Sequence, residues 1–476
     1  MSVQDKNCQI PTPTIYVEQM LDYIGYEKNL MGHKVLENSC GEGNILIQIV
    51  KRYIADAKKN GYTRSQIVTG LEKDIVAYEI DSEKIKICRK RLDSLAAEEN
   101  LSSVEWNIIN KDFLKSREEK VHFIIGNPPY ITYHNLTETE RNFLQNNFSV
   151  CKKGRFDYCY AFIEASIRAL ADDGKMIYLI PFSIFRNKFA ADLRCLLRNH
   201  ITKIVDYRNV QVFEGITCST AMIVCQKLVI EKKVIYEDVS AKQTIILTHS
   251  DLSAEGDKWI FCHNKKGNRR FGDYFQIHNS VATLCNKAFI IEVESTSEPY
   301  YLCDGNMIEK DVTLQAVSTK SQRSKLKHQK EVRIIFPYKR EDGKIVHYVE
   351  SEFKKKYPKA WEYLHKYNKE LGKRKADERA KWFEYGRSQA LTEIWDEKLV
   401  IPMVITKSTK SYLAEKDAVP YAGYFITVKG KSKLTLKDAQ KTLESETFYQ
   451  YVKDVGTPTT ISSYRVSVHD IIEYRF

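Results

Sequence analysis

The sequence predicts an α/β chain in two parts: a mostly parallel sheet of seven strands, then a mixed α+β region. Three observations predict it. Short apolar runs alternate with amphipathic stretches over the first 230 residues. That alternation is the pattern of βαβ units and a parallel sheet. The rhythm then breaks after about residue 245, where polar and basic loops lengthen.

The elements follow in order. KVLENS (34–39) is the first strand, VAYEI (76–80) the second, WNIIN (106–110) the third and VHFII (121–125) the fourth. KMIYLI (175–180), KIVDY (203–207) and TAMIVCQ (220–226) complete the set. Helices are predicted between them at 18–24, 44–58, 82–100, 156–171 and 188–199. Only a loop separates the last two strands, so they read as an antiparallel edge on the sheet. One further helix is predicted at 359–387, rich in Lys, Glu and aromatic residues. The domain boundary is placed near 245, giving domains of residues 1–245 and 246–476.

The bulk numbers exclude several classes. At 476 residues, 43% hydrophobic and 29% charged, the chain has the composition of an ordinary globular protein of two or more domains. The amino terminus has no apolar core of a signal peptide, and no apolar run reaches spanning length, so no membrane association is expected. The eleven cysteines are scattered without a CxxC pair, which fits reduced core thiols in a cytoplasmic protein. His200, His263 and His365 stand alone, and no metal site is read.

The net charge of +12 is unevenly placed. Residues 1–250 carry 34 Lys+Arg against 31 Asp+Glu, whereas 321–380 carry 18 against 9. Such an excess suits either a polyanion or a solvated lysine-rich face, and charge alone does not choose.

The strand ends carry the chemistry. The first strand runs into Glu37-Asn38-Ser39-Cys40-Gly41-Glu42-Gly43, and a helix follows. Glycines there let a ligand approach the backbone. Leu46 stands at the third position of a GxGxxG pattern, so the dinucleotide fingerprint fails. The second strand ends in Glu79-Ile80-Asp81, an acid that can accept from two ribose hydroxyls beside an apolar side chain that can pack on a purine. The third leads to Asp112, an acceptor for an exocyclic amine. Open α/β sheets bind ligands at this edge.

The fourth strand ends in Asn127-Pro128-Pro129-Tyr130. Adjacent prolines forbid helix or central strand, so a stiff loop begins at once. It presents an amide oxygen, a proline carbonyl and an aromatic face. Two acceptors aimed at the two N–H bonds of a planar amine would turn its lone pair toward an electrophile, and Tyr130 would stack on the base.

Seven stretches occur in the order PTPTIYVEQML, VLENSCGEGNIL, AYEID, NKDF, GNPPY, GRFDYCYAFIEASIRAL and GKMIYLIPFSIF. Over residues 10–227 the chain thereby resembles the gamma-class N6-adenine DNA methyltransferases of restriction–modification systems. The resemblance implies a Rossmann-like seven-stranded methyltransferase sheet and S-adenosyl-L-methionine as cofactor. Cofactor contacts would fall to Thr12, Pro13, Glu37, Cys40, Gly41, Gly43, Glu79, Ile80, Asp112 and Asn127. Asn127, Pro128, Pro129 and Tyr130 would take a flipped-out adenine. Tyr178 would cover the other face of the cofactor adenine. Phe213, which could equally plug the hairpin, would touch the flipped base. Asn38 departs from the proline of many relatives.

Residues 250–476 resemble, more loosely, the TaqI-like specificity domains of that family, through FGDYFQIHNSVATLCNKAFII, VRIIFPYKREDGKIVHYVE and WFEYGRSQAL. This implies a target-recognition domain, with Arg323, Lys325, Lys327, Arg333, Lys339, Arg340 and Arg387 as candidate DNA contacts. Asp342 with Glu352 and Lys354 has the residue types of a nuclease centre, a spacing common by chance in such a segment.

The expected function is site-specific methylation of adenine N6 in double-stranded DNA by a monomer acting at the nucleoid, with a cognate restriction endonuclease as the system's other enzyme. The NPPY site is shared with methyltransferases of RNA and of protein glutamine. Those, and a non-catalytic DNA-binding subunit, are the alternatives.

Overall fold

The computed structural model describes residues 10–116, 120–215, 218–252, 257–261, 267–319, 331–430 and 432–476. The chain divides into two compact units: Met1–Phe261 with Thr457–Ser462, and Cys262–Gly456 with Ser463–Phe476.

The first unit is built on one mixed sheet. Its strands are β1 (Val35–Glu37), β2 (Ile75–Tyr78), β3 (Asn107–Ile109), β4 (Val121–Gly126), β5 (Leu170–Pro181), β6 (Ile201–Tyr207), β7 (Thr220–Gln226), β8 (Lys233–Asp238) and β9 (Gln243–Thr248). Their order is β3-β2-β1-β4-β5-β7-β6-β8-β9. The pairs from β3 through β5 are parallel, and β7 lies antiparallel between β5 and β6. All seven expected strands are present and adjacent, but the sheet has nine. The β6–β7 pair is not its edge, because β8 pairs parallel with β6 and β9 antiparallel with β8. β9 also contains the expected boundary at 245. The first unit runs on to Phe261, whose ring stacks 4.5 Å from Tyr236 of β8, while Trp259 stacks on Phe185.

Helices cover both faces: α1 (Thr14–Ile24), α2 (Asn44–Lys59), α3 (Arg64–Asp74), α4 (Ser82–Glu98), α5 (Glu138–Asn147), α6 (Tyr158–Ala169) and α7 (Ala191–Arg198). The central strands feed two separate cores by simple alternation. Ile124, Met176, Tyr178 and Ile180 point to one, with α6. Ile125, Ile177 and Leu179 point to the other, with α1, α2 and α4. Burial on both faces explains the unbroken apolar runs of β4 and β5. Each such side chain contributes roughly 1.5–3 kcal/mol on leaving water. The sheet changes direction between β1 and β4, which opens a crevice at their carboxyl ends.

The second unit is a mixture of short strands and helices. Its largest sheets have four strands each, one built from Phe275–Asn279, Tyr424–Val428, Lys398–Ile401 and Tyr412–Ala414. The single helix expected over 359–387 is instead two short ones, Pro358–His365 and Asn368–Gly372. Past Gly372 the run Lys373-Arg374-Lys375 offers no apolar stripe, and the Arg374 guanidinium donates to the carbonyls of Thr283, Trp382 and Glu384. That capture holds the segment out of helical form. Among the described residues no helix is long and apolar enough to cross a membrane.

Candidate active site

The crevice holds a pocket of about 310 Å³. Of the expected site residues, Thr12, Glu37, Cys40, Gly41, Asn127, Pro128, Tyr130 and Phe213 line it together. They come from four stretches of chain more than 200 residues apart at the extremes. The structure adds Ile10, Pro11, Ser39, Glu42, Asn44, Ile45 and Lys84 to the lining. Ser39, Glu42 and Asn44 flank the expected residues in sequence, but nothing in the α4 pattern singles out Lys84.

The amino-terminal wall is stiff for a local reason. Pro11 and Pro13 bracket Thr12, and Pro13 caps α1 at φ −63°, ψ 143°. Thr12 is buried, 3% exposed, and its hydroxyl accepts the Asn127 Nδ2–H at 3.2 Å. The same nitrogen donates to the Ile10 carbonyl at 3.3 Å.

The glycine-rich turn leaves β1 at Glu37. The Cys40 N–H donates to the Tyr78 carbonyl at 3.0 Å, and the Gly43 N–H to the Cys40 carbonyl at 2.8 Å. Gly41 and Gly43 have φ of 52° and 85°, values that favour glycine. A Cβ on Gly43 would also sit 2.5 Å from Cys88 Sγ, so close packing against α4 demands this glycine as much as any ligand. Ser39 Oγ donates to the Asn127 carbonyl at 3.4 Å, joining this turn to the NPPY loop.

Glu79 does not line the pocket. It lies behind the turn, 3% exposed, where Oε2 accepts the Gly41 N–H at 2.9 Å and Oε1 accepts the Ile80 and Asp81 N–H groups. Ile80 and Asp112 are also outside the lining. Asp112 caps a short 3₁₀ turn through Leu114 N–H at 3.0 Å and lies 3.6 Å from Lys115 Nζ. Asn110, absent from the expected set, ties these strand ends together by donating to the Glu79 and Ile80 carbonyls.

Burial sets the electrostatics. Glu37 is held well above the usual carboxylate range by burial first, then by Cys88 and Glu79, against a lowering N–H from Leu46. Its Oε2 has no hydrogen-bond partner among the described residues. Burial likewise pushes the Tyr130 phenol far up, so it stays protonated.

Tyr178 corrects its expected role. It is fully buried opposite Gly126 on the neighbouring strand, and its hydroxyl meets Ser166 Oγ at 2.6 Å and receives the Asn38 amide. Asn38 also donates to Ser166 Oγ at 2.9 Å. The residue that departs from proline thus links β1, β5 and α6. A Cβ on Gly126 would lie 3.0 Å from the Tyr178 ring, which explains the glycine before Asn127.

In the second unit, Arg333, Lys339, Arg340 and Arg387 are described, while Arg323, Lys325 and Lys327 lie outside the described residues. Arg333 donates to the Thr313 carbonyl, Lys339 pairs with Glu352 at 2.5 Å, and Arg387 pairs with Asp377 at 2.7 Å. Arg340 lies 4.3 Å over the Trp395 ring. Asp342 sits in a hairpin turn at φ 48°, and Glu352 is engaged by Lys339.

Residues 41–213 match the model of the Eco57I restriction-modification methylase family. The chain is 27% identical over 321 residues to the Type II restriction enzyme and methyltransferase RM.Eco57I of Escherichia coli, covering 58% of this chain and 32% of that protein. It is 29% identical over 220 residues to the Type II methyltransferase M.HincII of Haemophilus influenzae, covering 45% and 36%. The chain thus spans less than half the length of either relative. Its fold is similar to that of the Type IIL restriction-modification enzyme MmeI, solved in complex with DNA, with a TM-score of 0.58 at 12% identity over 97% of this chain and 64% of that one.

Proposed function

We propose that this chain is a site-specific DNA adenine N6-methyltransferase, the modification activity of a restriction–modification system. The observation that carries the reading is the convergence of Asn127, Pro128, Tyr130 and Phe213 with the glycine-rich turn in one pocket at the sheet's switch point.

The residues fit S-adenosyl-L-methionine. Glu37 offers an unpartnered buried carboxyl oxygen to a cationic group, and Thr12, Cys40 and Gly41 form the adjoining wall. Glu79, Ile80 and Asp112 would hold the nucleoside end, Glu79 by exchanging a backbone partner. When bound, the cofactor supplies an electrophilic methyl on a sulfonium.

The chain's own residues do the rest. Asn127 Oδ1 and the Pro128 carbonyl accept the two N–H bonds of the adenine amine and turn its lone pair toward the methyl. Tyr130 and Phe213 hold the extruded base by its faces and edge. Pro129 stiffens the loop, so little reorganisation is needed at reaction. The second unit, with its basic residues, serves as target-recognition domain on the duplex, and a cognate endonuclease would complete the system.

The test is incubation of the purified chain with cofactor and genomic duplex DNA, followed by mass spectrometry of nucleosides. N6-methyladenine at one sequence is the expected product. Transfer only to RNA or to protein glutamine, or to nothing, would overturn the reading.

A further inference from the structure

We infer that Thr12 is a positioning residue for Asn127: with the Ile10 carbonyl it fixes which end of the Asn127 amide faces the pocket. The inference deepens the adenine-methylation reading and rests on it. The two ends of an asparagine amide have nearly the same shape and opposite hydrogen-bonding character. The rotation that exchanges them is broad and roughly two-fold. A free Asn127 would therefore present its NH₂ as readily as its oxygen, and an NH₂ against the N–H bonds of an amine repels it.

The neighbours remove that ambiguity. A backbone carbonyl can only accept, so the end of the amide 3.3 Å from the Ile10 oxygen must be the nitrogen. Thr12 Oγ1 takes the same nitrogen at 3.2 Å. Asn127 Oδ1 is thereby the end that is left to accept from a substrate. Thr12 can hold this position because it is buried and set between Pro11 and Pro13. The segment ahead of α1 therefore acts on the reacting base through Asn127 as well as lining the pocket.

Three variants test it: Thr12→Val, which keeps the shape and loses the oxygen; Thr12→Ser, which keeps the oxygen; and Asn127→Asp. The readouts are single-turnover methylation at saturating cofactor and duplex, its pH dependence, and cofactor affinity by calorimetry. Thr12→Val is expected to lower the single-turnover rate on the order of 10- to 100-fold. Cofactor affinity should fall far less, and Thr12→Ser should recover most of the rate. Asn127→Asp should be slow at neutral pH, because a carboxylate oxygen would face the Ile10 carbonyl. It should gain activity as pH falls, because the protonated acid can donate to that carbonyl and keep its other oxygen as acceptor.

Wild-type rate in Thr12→Val, failure of Thr12→Ser to recover, or an Asn127→Asp loss equal at every pH would overturn the inference. The Asn127→Asp profile decides the matter if Thr12→Val does not fold. A wild-type chain that leaves DNA unmethylated overturns the methylation reading and the inference with it. A wild-type chain that methylates while the variants behave normally overturns the inference alone.

Discussion

The Glu79 carboxylate accepts the Gly41 N–H at 2.9 Å, so the acid at the end of β2 pins the turn at the end of β1. Two more backbone N–H groups, from Ile80 and Asp81, occupy its other oxygen. At least three of about four acceptor positions of a carboxylate are therefore used by the chain itself. A ribose diol would have to exchange with one of them, and the Gly41 contact lies nearest the pocket.

Glu79→Gln should therefore do two things. It removes a charge from three hydrogen bonds and turns an NH₂ toward an N–H. Hydrogen bonds to a charged group contribute about 1.5–3 kcal/mol each, so cofactor affinity should fall at least about tenfold and the melting temperature should drop. Calorimetric titration beside thermal unfolding checks both. Unchanged affinity in a folded variant would remove Glu79 from the cofactor site.

Glu37 predicts a pH signature. Its carboxyl is raised by burial, so the folded chain keeps this proton at pH values where the unfolded chain has lost it. The associated stability is fully present below the unfolded value and is lost as pH rises through the folded one. Glu37→Gln should remove that loss and flatten stability toward higher pH. A cationic ligand beside the unpartnered Oε2 would draw the proton off, so cofactor binding should release a proton and strengthen as pH rises. Titrations in two buffers of different ionisation enthalpy measure the release. Equal release by wild type and Glu37→Gln would assign the proton to another group.

Tyr178→Phe separates a buried strut from an adenine contact. The hydroxyl closes the network with Ser166 and Asn38. Leaving those partners buried without it should cost roughly 1–3 kcal/mol by denaturant unfolding. Cofactor affinity should hold, because the ring lies outside the pocket lining. A stability-neutral variant with weakened cofactor binding would restore Tyr178 to the cofactor site.

The order of strands and the placement of the NPPY loop were legible because apolar runs buried on both faces are hard to mistake. β8 and β9 were not: Ile235 and Ile246 are exposed, and half-buried edge strands lack that run. The residues of the pocket were legible as motifs, but their internal engagements were not. Nothing in AYEID announces that Glu79 folds back on Gly41, nor in PTPT that Thr12 reaches across 115 residues to Asn127. The expected helix at 359–387 failed because Arg374 found three carbonyls that only tertiary packing supplies.

The basic residues of the second unit divide by what already holds them. Arg333 donates to Thr313 and lies against Tyr301, so Arg333→Ala should chiefly lower stability. Lys339 and Arg387 are each neutralised by an acid, Glu352 and Asp377. Arg340 is exposed, and its contact is with the Trp395 ring, which leaves the planar guanidinium its hydrogen-bonding edge. Arg340→Ala should therefore weaken specific duplex binding more than Lys339→Ala, without loss of stability. If Arg340 reads a base, preference for the target sequence should fall by about 1–3 kcal/mol. If it meets a phosphate, affinity should fall on every sequence alike, and the slope of log affinity against log salt should shrink by about 0.9. Fluorescence anisotropy on target and scrambled duplexes across a salt series distinguishes these. Wild-type affinity and slope in the folded Arg340→Ala variant would take Arg340 out of the DNA interface.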